Sequence, residues 1–122
     1  MIPQQFSLRR RAKSFTFAGN GFFQFFIREH NAWIHLAATI IVIAAAFALK
    51  TSRMETIALV VVIGLVWVTE MLNTCLEKIA DLITKEEHPE IKFIKDLAAG
   101  AVLVASLTAV IIGLFIFIPK IF

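Results

Sequence analysis

The chain has a single cysteine, Cys75, so it can form no internal disulfide. That thiol sits among apolar helical neighbours, where cysteine serves as a small packing group. Glycine is scarce, five residues in 122. No GxxxxGK(S/T) stretch occurs, which excludes a P-loop phosphate cradle. Charged residues make up only 17% of the chain, and residues 97–118 carry none. Residues 1–20 are basic and interrupted, with no apolar core ahead of a small-residue cleavage site. No cleavable signal peptide is expected, and the first true span does the targeting.

What is present is apolar. The composition is 59% hydrophobic with mean hydropathy +0.83, too greasy for the surface of a soluble domain of this size. One compact, all-α integral membrane domain over 1–122 is expected. Three runs can span a bilayer, at about 32–49, 56–76 and 97–118. The first two correspond to roughly 27 and 32 Å of helix, against a hydrocarbon core of about 30 Å. The helix of the second is expected to continue to Ile83. On the third, Ala101, Ala105, Ala109 and Gly113 form a small-residue seam for close helix approach.

Ahead of the spans, residues about 5–28 alternate Arg9, Arg10, Arg11 and Lys13 with phenylalanines. Basic heads and aromatic bodies suit an amphipathic helix lying on an anionic leaflet, whether as a simple anchor or as part of a site. Asn20-Gly21 is expected to break or bend it. Residues 50–55 form a short polar turn, and the charged, Pro89-containing stretch 84–95 forms a loop. Nine of the twelve Lys and Arg lie in 1–31 and 77–96, leaving Lys50, Arg53 and Lys120 for the other side. The bias places the N-terminus and the 84–95 loop in the cytoplasm. The arginine-rich start is flanked by phenylalanines and feeds a membrane protein, which argues against a nucleic-acid partner.

Within 69–81 an apolar helix turns acidic. Glu70, Asn73, Glu77 and Asp81 fall within about 80° of one another at helical spacing, a single stripe. Glu70 comes where hydrocarbon gives way to headgroups, and a carboxylate there needs protein, water or a cation. Aligned acids repel, and a divalent metal relieves them; the alternative is a solvated helix end. With Glu29 and Lys95-Asp96 the stripe converges at one leaflet surface. Acids, an amide and a lysine there meet the needs of phosphoryl transfer, in which Mg²⁺ bridges phosphate oxygens and a positioned group orients the attacking hydroxyl. Two other readings stay open. A small ion-coupled transporter would use the acids as a cation site, and a non-catalytic assembly subunit would use the stripe for helix contacts.

The pattern Glu70-x-x-Asn73-x-x-x-Glu77-x-x-x-Asp81, followed by Lys95-Asp96-x-Ala98-x-Gly100-Ala101-Val102, resembles the small prokaryotic diacylglycerol and undecaprenol kinases. Arg11-x-Lys13-Ser14-Phe15, Ala18, Gly21 and Glu29 agree, so the resemblance covers residues about 9–117. It implies an N-terminal amphipathic surface helix plus three transmembrane helices in a homotrimer, in the bacterial inner membrane. It also implies an ATP- and Mg²⁺-dependent kinase acting on the primary hydroxyl of a membrane lipid alcohol. By the resemblance, Glu70 is the general base and Asn73 orients substrate or Glu70. Glu29 and Glu77 hold Mg²⁺. Lys95 and Asp96 hold nucleotide, Glu86 and His88 lie near its adenine and ribose end, and Arg10 and Phe17 contact it from the N-terminal helix. Asp81 supports the helix end or subunit contacts. His35 stands where the diacylglycerol-specific enzymes tend to carry an acid, and Glu29-x-Asn31-x-x-Ile34-His35 is more like the undecaprenol kinase branch.

Overall fold

A computed structural model describes residues 5–122, and every regular element among them is an α-helix. In order these are α1 (Leu8–Arg28), α2 (His30–Ala48), α3 (Arg53–Ile83) and α4 (Pro89–Ile121). The last three are long and apolar enough to cross a membrane. Residues 1–4, part of the expected N-terminal segment, lie outside the described residues.

The chain divides into two compact units, Met1–Ala38 and Thr39–Phe122. In the first, α1 starts at Leu8 rather than near residue 5 and passes through Asn20-Gly21 without a break. Gly19 and Gly21 each cost about 1 kcal/mol relative to alanine, too little together to end a helix of 21 residues. The break comes instead at Glu29, whose backbone is extended and whose N–H donates to the Phe25 carbonyl. Trp33 fixes this corner: its Nε1 donates to the Phe26 carbonyl at 2.9 Å, and its ring meets the Phe26 ring edge-on at 5.3 Å.

In the second unit α3 packs along α4. Lys50, in the left-handed region at φ 53°, helps the chain reverse between α2 and α3. Ser52 then caps α3: its hydroxyl accepts from the Glu55 N–H, and the Glu55 carboxylate accepts from the Ser52 N–H at 2.8 Å. This reciprocal box satisfies two otherwise orphaned donors. Lys120, near the end of α4, donates to Glu55 at 3.0 Å and ties the two helices together there. Midway, Trp67 Nε1 donates to Thr39 Oγ1 at 2.9 Å, joining α3 to α2.

Three further expectations need correction. The loop is 84–88, not 84–95, because Pro89 occupies the first turn of α4 and the His88 side chain caps it. Proline is preorganised for that position, where its missing N–H costs nothing. The small-residue seam is displaced only at its start, since Ala109 and Gly113 are half-buried. Ala98 and Ala105 are buried while Ala101 is exposed, since steps of four residues drift around a helix of 3.6 residues per turn and alternating steps of three and four do not. Cys75 is exposed on α3, not packed inside the chain.

Candidate active site

The acidic stripe rides on one uninterrupted helix. Glu70 and Asn73 are the buried polar or charged residues among those described, 5% and 9% exposed. Asn73 Nδ2 donates to Glu77 Oε1 one turn on, at 3.3 Å. Its Oδ1 is buried and has no hydrogen-bond partner among the described residues. An orphaned buried carbonyl costs about 1–3 kcal/mol, and such a cost is tolerated where a ligand completes the bond. Glu77 is exposed, and the hydrogen bond from Asn73 engages its Oε1. It therefore offers a hard carboxylate oxygen to a cation.

Asp81 ends the stripe, beyond the apolar part of α3. Lys95 Nζ donates to Asp81 Oδ1 at 2.6 Å across the turn from α3 to α4. That hydrogen bond, and then the ammonium charge, holds the Asp81 carboxyl below the ordinary carboxylate range. Lys92 and Asp96 form a second pair one turn apart on α4. It is well exposed on both sides, and such pairs contribute little to stability.

A depression of about 620 Å³ opens at this end, lined by Asp81, Glu86, His88, Lys92, Lys95 and Asp96 among others. Local bonds shape its floor. Glu86 N–H donates to Thr84 Oγ1 at 3.1 Å, and Glu90 N–H donates to His88 Nδ1 at 3.1 Å. With Nδ1 accepting, neutral His88 carries its proton on Nε2. The depression thus gathers three lysine ammonium groups, of Lys85, Lys92 and Lys95, beside acids and a histidine.

Four residues expected at the nucleotide, Glu86, His88, Lys95 and Asp96, are therefore brought together. Glu70 is not among them: it lies eleven residues up α3 from Asp81, roughly 16 Å at helical rise. Arg10 and Phe17 are exposed on α1, and Glu29 is the half-buried residue between α1 and α2. Lys85 and Lys92 also line the depression and were not singled out from sequence; Lys92, three residues before Lys95 on one helix face, could have been. No cluster of three or more metal-ligating side chains occurs among the described residues. Magnesium does not require one, because it is commonly held by one or two carboxylates together with substrate phosphates and water. The exposed Glu77 carboxylate fits that demand.

Residues 16–117 match the family model described as prokaryotic diacylglycerol kinase. An undecaprenol kinase of Bacillus subtilis is 42% identical over 113 residues, covering 93% of this chain and 92% of the relative. A diacylglycerol kinase of Synechocystis is 37% identical over 107 residues, covering 87% of this chain and 61% of the relative. A diacylglycerol kinase of Pseudomonas aeruginosa is 35% identical over 66 residues, 54% of each chain.

Proposed function

The chain belongs to the prokaryotic diacylglycerol kinase family and is a lipid kinase, and from that premise we propose that it phosphorylates undecaprenol in preference to diacylglycerol. The transporter and assembly-subunit readings have no support from this membership. Two observations favour the undecaprenol branch: the 42% identity to an enzyme of that name, and His35 at a position where the diacylglycerol enzymes tend to carry an acid. Residues 1–122 act as one lipid-kinase domain in the bacterial inner membrane, with the 84–88 loop in the cytoplasm. The excess of Lys and Arg in 1–31 and 77–96 supports that orientation.

The reaction moves the γ-phosphoryl group of ATP to the lipid's primary hydroxyl. The hydroxyl oxygen bonds to phosphorus, the bond to the bridging oxygen of ADP breaks, and the hydroxyl proton passes to Glu70. Burial of Glu70 excludes water that would compete as acceptor. The Asn73 Oδ1, buried and unsatisfied, first accepts the hydrogen bond of the incoming substrate hydroxyl, which then turns to Glu70 as its one proton is taken. This orphan acceptor one turn from a buried carboxylate is the observation that carries the reading. Glu29 and Glu77 would hold Mg²⁺, which when bound offsets charge on the phosphate oxygens. Lys95, Asp96, Glu86 and His88 hold the nucleotide, and α1 lies in the interface with Arg10 and Phe17 against it.

The active assembly is a homotrimer with sites shared between subunits. Large apolar side chains are exposed along all three long helices, and the polar stripe needs partners on several sides. The test gives the purified protein radiolabelled ATP, Mg²⁺ and separate lots of undecaprenol, shorter prenols and diacylglycerol. Label enters the prenols fastest. Equal or greater labelling of diacylglycerol overturns the preference, and labelling of none overturns the kinase mechanism.

A further inference from the structure

The end of α3 remote from the acidic site carries a groove that the kinase chemistry does not use. It has a volume of about 500 Å³ and is walled by Val42, Ala46 and Phe47 of α2 and Leu59, Val60 and Ile63 of α3. Lys50, Thr51 and Thr56 form its mouth. From Val42 to the end of α2 at Ala48 is six residues, roughly 9 Å of helix, and Lys50 lies two residues beyond. A single leaflet's hydrocarbon is about 15 Å deep, half of the ~30 Å core. The groove therefore has the depth to take the upper part of one acyl chain, and it opens at a cation.

Charge identifies the occupant. Lys50 and nearby Arg53 have no ion-pair or hydrogen-bond partner for their side chains among the described residues, whereas Lys120 at the same end is paired with Glu55. Glu55 is the only Asp or Glu at this end of the helices. It is already engaged by Lys120 and by the Ser52 N–H. A second copy of the chain therefore brings no acidic side chain to meet Lys50 and Arg53. Thr56 Oγ1 donates to the Ser52 carbonyl at 2.9 Å, so Thr51 is the donor in the 2.9 Å bond between the two hydroxyls. The lone pairs left on Thr51 Oγ1 suit a headgroup hydroxyl. Lys50 itself is held by the left-handed backbone that closes α2, which fixes the root of its side chain beside the groove.

We infer that this groove is a binding site for one anionic phospholipid of the leaflet opposite the active site, its phosphate on Lys50 and Arg53 and one acyl chain between α2 and α3. The site rests on membrane insertion alone and not on the kinase reading, so either can fail without the other. Each basic residue near an anionic headgroup contributes about a five-fold gain in affinity.

Native mass spectrometry of the detergent-purified protein, given equal phosphatidylglycerol and phosphatidylcholine, tests it. Wild type retains phosphatidylglycerol preferentially. Lys50→Asn, chosen because asparagine tolerates the left-handed backbone, loses about five-fold, and Lys50→Asn with Arg53→Gln about 25-fold. Ala46→Phe fills the groove and reduces retention with both charges in place. Equal retention of the two lipids, or a double variant that binds like wild type, overturns the proposal. So does Val60→Cys in a Cys75→Ser background, if it cross-links copies of the chain equally with and without phosphatidylglycerol, since a second copy then fills the groove.

Discussion

Lys95 donates to Asp81 at 2.6 Å, so the last acid of the α3 stripe and the first lysine of the α4 motif form one unit across a five-residue turn. Asp81 thereby fixes where Lys95 can present its charge to the depression beside it. Lys95→Met is expected to weaken nucleotide binding, and Asp81→Asn to weaken it less. The double variant binds no worse than Lys95→Met alone, because residues that act through one another are not additive. Titration calorimetry with ATP and Mg²⁺ measures this, and additive losses would separate the two roles. The carboxyl of Asp81 is lowered in the fold, so the stabilising effect is present above the unfolded carboxylate value and is lost as pH falls through the folded one. The difference in thermal midpoint between wild type and Asp81→Asn is therefore constant through the neutral range and shrinks only below about pH 4.

Glu70→Gln keeps the shape of the buried side chain and removes its capacity to take a proton. Turnover is expected to fall by about 10²–10⁴-fold, the usual contribution of a positioned base, with nucleotide affinity unchanged. Single-turnover phosphotransfer in vesicles, beside calorimetry on the same preparation, separates the two. Wild-type turnover would remove Glu70 from the chemistry.

Asn73→Leu should dissociate stability from activity. The substitution removes an unsatisfied buried carbonyl whose cost is about 1–3 kcal/mol, while the exposed Glu77 regains water. The thermal midpoint is expected to hold or rise as turnover collapses, a trade expected where function maintains a local defect. Retained turnover would show that the Asn73 oxygen has no substrate to meet.

Ser52→Ala removes the capping box that opens α3 and is expected to cost about 1 kcal/mol. It lies at the far end of α3 from Glu70, so turnover per folded molecule stays at the wild-type value. Thermal unfolding and a specific-activity assay on the same sample check both halves.

The long apolar runs declared the three spans because hydropathy over about twenty residues is a strong local signal. The stripe from Glu70 to Asp81 was legible for the same reason: on a continuous helix, spacing alone dictates the face. What the sequence hid was decided by single residues or by distance along the chain. Pro89 shortened the expected loop by acting as a helix opener, and Glu29, not Asn20-Gly21, proved to be the break. The Thr39–Trp67 bond joins residues 28 apart, and no local pattern marks such a pair. The cap at Ser52 was available in Ser52-Arg53-Met54-Glu55, a capping-box spelling. The orphaned Asn73 oxygen could not be read from sequence, because burial and the lack of a partner are properties of the packed helix.

Because α3 runs from Arg53 to Ile83 without a hinge, it works as a ruler. The height of Glu70 above or below any other group on the helix is fixed in manufacture and cannot be adjusted during turnover. With Glu70 as the proposed base, the acceptor molecule must do the travelling, bobbing until its alcohol reaches the one rung where a proton can be taken. On that proposal an alcohol carried on a long polar stalk would overshoot the rung, and the enzyme would screen its clients by elevation before it consults their shape.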